Sequence, residues 1–251
     1  MILSIAMLSH SHSKTAHHSP KIGTILSQAK IMATAIGEIV RNGILFDVKN
    51  WNHEMTPSDD FVQNIDRLFN ALEERNINYL LVGGVALLSY VEGRNTQDID
   101  LILSQSELEA LPEIIDCDRN QNFIRGQLNQ LQIDIWLTQN ALFQKMTQDY
   151  VTSRQFGDRK IRCVTVEGLV ILKFYALPSL YRQGQFDRAS IDENDILLLL
   201  LKYPVDLDAT FRLLSNHLLP SDVRKIQAIA AEIDAKIKRF AIQKKQLEED
   251  P

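Results

Sequence analysis

Acidic residues interrupt two apolar segments that alternate like β-strands. In Asp98-Ile99-Asp100-Leu101 the carboxylates are two positions apart, so a strand projects both from one face, roughly 7 Å apart at the backbone. Asp134 interrupts the segment from Leu131 to Leu137 in the same way. Three carboxylates on adjacent strands repel one another unless a cation neutralises them. Because Mg²⁺ prefers hard oxygen ligands, it is the metal expected for Asp98, Asp100 and Asp134.

The chain contains ten glycines but one adjacent pair, Gly83-Gly84. This pair follows the short apolar run from Tyr79 to Val82 and precedes a helical pattern over 85–91. A strand that turns directly into a helix exposes backbone N–H groups, and glycine lets a phosphate approach with no Cβ in the way. Glycine pairs more often mark ordinary turns. The prediction that Gly83 and Gly84 bind a triphosphate therefore depends on the carboxylates that follow.

Lys173 is the single cation within the apolar helical segment from Leu169 to Leu177. Burial of an unpaired ammonium group is costly, so its side chain must either reach solvent or meet an anion. The sequence pattern alone leaves both alternatives open.

The remaining periodicity predicts the elements that position these residues. A helix is expected from about Thr56 to Glu74, the carboxylates lie on strands, and Ser106 with Glu109 suggests a capping box for a helix that ends near Ile115. The segments 122–125 and 131–137 are predicted to form a hairpin around Gly126. Apolar periodicity predicts three later helices, at 165–177, 192–202 and 221–246.

These elements indicate an α+β fold, with a short mixed sheet and flanking helices followed by a helical C-terminal region. We expect residues 1–54 to be a poorly ordered N-terminal extension outside the working protein, 55–140 to form the core with the carboxylates, and 141–251 to be mainly helical. A change in composition near Glu54, where a tract rich in histidine ends, is the basis of the first boundary.

Composition limits the classes of function. The chain has 251 residues and a formal net charge of -5, which is not typical of a protein that coats DNA non-specifically. It contains no stretch near the eighteen or so apolar residues that a membrane span requires. Its two cysteines match no metal-binding spacing, and a cytoplasmic protein without a membrane partner is the expectation.

The compound pattern is more specific than its parts. The order of motifs resembles the signature of the polymerase-beta-like nucleotidyltransferase superfamily: Val82-Gly83-Gly84, thirteen intervening residues, Asp98-Ile99-Asp100 and then Ile133-Asp134-Ile135. Three segments are also similar to those of bacterial AbiEii-like toxin nucleotidyltransferases: the sequence Gly-Gly-Val-Ala, the run from Arg94 to Asp100 and the helix from Val166 to Lys173. The resemblance covers about residues 60–200.

The resemblance implies transfer of a nucleoside monophosphate from an NTP to a hydroxyl, with release of pyrophosphate. Asp98 and Asp100 would then bridge two Mg²⁺ ions, and Asp134 would ligate one of them and help to remove the acceptor's proton. Family members carry a functional lysine and an acid in the next helix, which correspond here to Lys173 and Asp195, with Asp192 as a neighbour. They often have a basic residue before the first acid of that helix, where this chain has Ile191.

Arg94 and Thr96 complete the candidate site, and both precede the predicted strand that carries Asp98 and Asp100. Arg94 could pair with a phosphate through two parallel hydrogen bonds, although a solvated loop arginine is equally compatible with its position. Thr96 is the second, and both are candidate nucleotide-binding residues together with Gly83, Gly84 and Lys173.

The acceptor stays open between three hypotheses. The resemblance implies a toxin-like component of a bacterial toxin–antitoxin system that acts on tRNA or a protein hydroxyl, with a cognate antitoxin as a possible partner. The alternatives are an antibiotic-type adenylyltransferase and a non-catalytic nucleotide-binding module, and the presence of all three carboxylates counts against the last. Seven basic residues against two acids over 223–247 would contact an RNA backbone if the acceptor is RNA.

Overall fold

The computed structural model describes residues 58–91, 96, 98–156 and 159–249. Their strands form one seven-stranded mixed sheet in the order β3-β4-β5-β2-β1-β7-β6. The strands are β1 (Leu80–Val82), β2 (Asp98–Leu103), β3 (Ile115–Arg119), β4 (Phe123–Leu128), β5 (Leu131–Leu137), β6 (Val151–Phe156) and β7 (Arg159–Val164). Strand β2 is antiparallel to β1 and parallel to β5.

Helices precede, connect and follow these strands. They are α1 (Ser58–Glu74), α2 (Gly83–Leu88), α3 (Gln105–Glu109), α4 (Ala141–Asp149), α5 (Val166–Arg182), α6 (Phe186–Lys202), α7 (Leu207–Leu214) and α8 (Pro220–Glu249). After Val164 the described chain continues only in helices. The α+β class with a helical C-terminal region is therefore confirmed.

At the centre of the sheet, polar and apolar residues alternate over 98–101 of β2 and 131–135 of β5. On β2, Ile99 and Leu101 are fully buried, whereas the intervening Asp98 and Asp100 are partly exposed on the other face. On β5, Ile133 and Ile135 are also fully buried. Alternating faces of this kind place the apolar side chains in the core and hold the acids together on the opposite face.

Several helix and strand predictions are confirmed with small shifts at the ends. Helix α1 ends at Glu74 as expected, β2 has the predicted bounds, and the helices over 165–177, 192–202 and 221–246 are all present but longer. The proposed start of the first helix at Thr56 and the N-terminal extension over 1–54 lie outside the described residues.

The capping box lies two residues earlier than predicted. The Ser104 hydroxyl accepts from the Glu107 N–H at 3.2 Å, and the Glu107 carboxylate accepts from the Ser104 N–H at 2.9 Å. Glu107 also accepts from the Asn78 N–H at 2.8 Å. This contact with a residue two positions before β1 selects Ser104 and Glu107 over the overlapping pair Ser106 and Glu109. Helix α3 ends at Glu109 instead of near Ile115.

The hairpin is also shifted. Gly126 lies inside β4, opposite Ile133, and the turn is formed by Asn129 and Gln130. Asn129 has a φ of 54°, a left-handed conformation that asparagine tolerates better than most residues. The strands β3, β6 and β7 were not predicted, and the last two extend the sheet beyond residue 140.

No helix among the described residues is long and apolar enough to cross a membrane.

Candidate active site

The parallel pairing of β2 with β5 brings the predicted carboxylates together. In the register of these strands Asp100 lies directly beside Asp134, and Asp98 lies beside Gln132. Adjacent strands are about 4.8 Å apart, and paired residues project from the same face. The two Asp positions of β2 and the Asp position of β5 therefore share one surface of the sheet.

The turn after β1 approaches this surface closely. Gly83 has a φ of +65°, and a Cβ at this position would lie 1.9 Å from Oδ2 of Asp100. The backbone N–H of Gly84 donates a hydrogen bond to the Asp100 carboxylate. Both the backbone conformation and the lack of space require glycine at position 83. In the structure the bare backbone of this turn therefore accommodates a carboxylate.

Asp100 carries a charge that its surroundings do not compensate. Burial, followed by the nearby charges of Asp98 and Asp134, raises the pKa of Asp100 from 3.8 to about 7. The positive charge of Lys173 and the Gly84 N–H lower this pKa without offsetting the other effects. A carboxylate that is desolvated and repelled in this way is stabilised by any cation that binds beside it.

Asp98 is held from the segment before its strand. The Thr96 hydroxyl is 7% exposed and donates to Oδ1 of Asp98 at 2.9 Å. This bond orients the carboxylate, so the described contact of Thr96 is with Asp98. The nucleotide-binding role of Thr96 stays a prediction, and Arg94 lies outside the described residues.

Asp134 is paired with an arginine that the sequence analysis missed. Nε of Arg125 donates to Oδ1 of Asp134 at 2.9 Å, and Nη2 donates to Oδ2 at 2.8 Å. Gln132 donates a third hydrogen bond, to Oδ1, at 3.2 Å. Arg125 lies directly opposite Asp134 in the β4–β5 pairing. The hairpin register would have revealed this pair if its turn had been located at Asn129 instead of Gly126.

Lys173 meets anions and does not extend to solvent. Its Nζ lies 2.7 Å from a carboxylate oxygen of Asp192 and 2.7 Å from one of Asp195. The Lys173 and Asp195 side chains are only 8% and 2% exposed. Asp192 and Asp195 are three residues apart on α6, which places them on one face towards α5. The structure therefore brings together the predicted pair Lys173 and Asp195 with their neighbour Asp192, and the charge of Lys173 also lowers the pKa of Asp100.

The described residues fit a hard divalent cation at Asp98 and Asp100. Both offer carboxylate oxygens, and burial together with the charges of Asp98 and Asp134 raises the pKa of Asp100, an effect that a bound cation opposes. Among the described residues, no group of three or more His, Cys, Asp or Glu side chains is arranged as a metal site. The residues that fit a cation are therefore the two carboxylates of Asp98 and Asp100, because Asp134 is hydrogen-bonded to Arg125.

No family model and no curated protein sequence matches this chain. The structure is similar to that of an antigenic nucleotidyltransferase-like protein from Paracoccidioides brasiliensis, with a TM-score of 0.46 and 14% identity over 72% of this chain and 93% of that one. It is also similar to ANT(2'')-Ia in complex with adenylyl-2''-tobramycin, with a TM-score of 0.41 and 14% identity over 69% and 97% of the two chains. The solution structure of the antibiotic-resistance factor ANT(2'')-Ia is similar as well, with a TM-score of 0.40 and 15% identity over 72% of this chain and 96% of that one.

Proposed function

We propose that this protein is a Mg²⁺-dependent nucleotidyltransferase that moves a nucleoside monophosphate from an NTP to a hydroxyl acceptor. The observation that carries this proposal is the pair Asp98 and Asp100 on one face of β2, with Asp100 in contact with the glycine turn at Gly83. A bound cation would oppose the desolvation and charge repulsion that raise the pKa of Asp100.

The reaction needs positioning and charge neutralisation more than covalent catalysis. The acceptor oxygen forms a bond to the α-phosphorus as the bond to the bridging oxygen breaks, pyrophosphate leaves, and the hydroxyl proton passes to a base. Asp98 and Asp100 would hold Mg²⁺, which supplies neutralisation of the phosphate charge when bound. The Asp134 carboxylate and the Lys173 ammonium lie close enough to influence Asp100.

The acceptor class follows from the sequence resemblance. We propose a macromolecular hydroxyl, on tRNA or a protein, and a toxin-like role with a cognate antitoxin as partner. Helix α8 presents Lys236, Lys238 and Arg239 on its exposed surface, and such local positive charge is what a nucleic-acid backbone requires. A small hydroxylated acceptor is the alternative for the same carboxylate site.

Incubation with α-³²P-labelled NTPs and Mg²⁺ tests the proposal. The acceptors are total RNA, total protein and a panel of aminoglycosides, each in a separate reaction. Label in RNA or protein supports the macromolecular acceptor, label in an aminoglycoside supports the small one, and label in none overturns the proposed activity.

Two variants make this assay specific. Asp100→Asn should lower transfer by at least about a thousandfold, in line with the loss of charge stabilisation at a phosphoryl centre. Arg75→Gln is the control, because it breaks an ion pair that includes none of the site residues. Nη1 of Arg75 lies 2.8 Å from Oε2 of Glu113, and loss of this contact should leave transfer unchanged. Equal activity of wild type and Asp100→Asn would contradict the assignment of the site.

A further inference from the structure

Asp134 differs from the other two carboxylates in how completely it is bonded. An ionised carboxylate accepts about four hydrogen bonds, and Asp134 already receives three, from Arg125 twice and from Gln132. Its side chain is 7% exposed. Only one acceptor position, on Oδ2, is left for any further ligand, and the guanidinium covers both oxygens.

The charges of the site lead to the same conclusion. Arg125 and Asp134 form a bidentate pair whose net charge is zero. Asp192 and Asp195 contact Lys173 at the α5–α6 junction and not on the sheet. Asp118 lies opposite Arg125 on β3, on the side away from Asp134, and its charge acts on that guanidinium. The negative charge that remains next to the glycine turn is that of Asp98 and Asp100, which one divalent cation balances.

We propose that the protein's own cation site consists of Asp98 and Asp100 alone, and that Asp134 is a positioning residue that holds Arg125 and not a metal ligand. The proposal rests on the Mg²⁺ dependence of the proposed function. It differs from the expectation that three carboxylates share two metal ions.

The pair fixes a guanidinium at the margin of the cation site. Arg125 lies with its Cζ 5.6 Å from the centre of the Phe123 ring, and its side chain is 31% exposed. The hydrogen bonds with Asp134 raise the pKa of the Arg125 guanidinium, and the nearby charges of Asp98 and Asp118 raise it further. Asp134 and Phe123 together therefore hold this cation where the charge of Asp98 acts on it.

Binding of Mn²⁺ to the full-length, nucleotide-free protein tests the proposal. Titration is followed by electron paramagnetic resonance of the free ion. The informative variant is Arg125→Gln combined with Asp134→Asn, because it removes both charges, leaves the net charge unchanged and keeps two hydrogen-bonding side chains. Asp98→Asn and Asp100→Asn serve as ligand variants, and Arg75→Gln is the matched arginine control.

The expected result is that the double variant binds Mn²⁺ with an affinity within fivefold of wild type, whereas Asp98→Asn and Asp100→Asn each lose tenfold or more. A loss of fivefold or more in the double variant, or no saturable binding to wild type, overturns the proposal. The measurement needs no transfer reaction. A protein that binds Mn²⁺ as expected but transfers no nucleotide therefore contradicts the proposed function and leaves the ligand assignment standing.

A second measurement uses the wild-type chain in case the double variant does not fold. The Nε–H of Arg125 gives its own signal in ¹⁵N-correlated NMR spectra, and Arg125→Lys assigns that signal by its absence. If Asp134 is not a ligand, the hydrogen-bonded signal persists when Mg²⁺ saturates the protein. Loss of the hydrogen-bonded signal at saturation overturns the proposal.

Discussion

Two regions of this protein hold carboxylates at low solvent exposure, and they do so in opposite ways. At the α5–α6 junction Asp195 is 2% exposed, and the Lys173 ammonium lies 2.7 Å away. On β2, Asp100 is desolvated beside Asp98 and Asp134, and its pKa rises to about 7. In the first region one ammonium contacts both acids, whereas no described residue forms an ion pair with Asp100 and the charge of Lys173 only partly offsets the rise in its pKa.

The difference separates stability from function. An ion pair within the chain is complete when the protein folds, and loss of one partner leaves a buried charge unpaired. An acid without a matching cation lowers the stability of the fold. Proteins retain such an acid at sites where a bound ligand supplies the missing charge. The contrast therefore indicates that the region around Asp100, and not the one around Lys173, binds a ligand. Removal of charge from each region tests this contrast.

Removal of the cation from the paired region should have the largest effect on stability. Lys173→Met leaves Asp195 buried without its ammonium partner, so we expect the free energy of unfolding to fall by about 4 kcal/mol. Urea denaturation monitored by circular dichroism measures this loss. Lys173→Met combined with Asp195→Asn should recover part of it, because the double variant leaves only the more exposed carboxylate of Asp192 without the ammonium. A double variant no more stable than Lys173→Met would contradict the comparison.

Removal of charge from the unpaired region should have the opposite sign. Asp100→Asn is expected to raise the free energy of unfolding by about 2 to 4 kcal/mol at pH 8 in EDTA, since each pKa unit corresponds to about 1.4 kcal/mol. The pKa of Asp100 is higher in the folded protein than its ordinary 3.8, so ionisation destabilises the fold. This penalty is complete above about pH 7 and declines to zero as the pH falls towards 3.8.

Thermal melts from pH 4 to pH 8 check this sign. The stability advantage of Asp100→Asn over wild type should grow with pH across that range. At pH 8, Mg²⁺ should raise the melting temperature of wild type and leave that of Asp100→Asn unchanged, because the ligand binds the carboxylate that the variant lacks. An Asp100→Asn protein that is less stable than wild type at pH 8 would show that the carboxylate is compensated.

Strand β2 could be predicted from sequence because the pattern that defines it lies within a few consecutive residues. The alternation of Asp98, Ile99, Asp100 and Leu101 defines both faces of β2 without reference to any other strand. The apolar run around Lys173 likewise predicted a helix and required an anion or solvent at its cation. Its partner Asp195 came from the family resemblance and not from the pattern of residues.

The missed features depend on contacts between distant segments. All five residues of β3 are exposed, so no burial pattern marks that strand, and it forms only by pairing with β4. The overlapping capping boxes around Ser104 and Ser106 are equivalent locally, and the contact of Glu107 with Asn78 decides between them. The pairing of Arg125 with Asp134 required the register of the hairpin, which the left-handed turn at Asn129 sets.

The smallest predicted effect sharpens the comparison at the glycine turn. Gly83 and Gly184 have nearly the same backbone conformation, with φ values of +65° and +69°. A Cβ at Gly83 would lie 1.9 Å from Oδ2 of Asp100, whereas one at Gly184 would meet nothing within 4 Å. Gly184→Ala should therefore cost only the left-handed conformation, about 1 kcal/mol, and Gly83→Ala about 2 kcal/mol because the carboxylate must also move.

Mn²⁺ affinity distinguishes these two variants more clearly than stability does. Displacement of the Asp100 carboxylate in Gly83→Ala should weaken Mn²⁺ binding by tenfold or more, while Gly184→Ala should bind as wild type does. The matched φ values remove backbone strain as an explanation for any difference between them. Wild-type Mn²⁺ affinity in a folded Gly83→Ala protein would mean that Asp100 can bind the cation from another position, and that the glycine turn does not define the site.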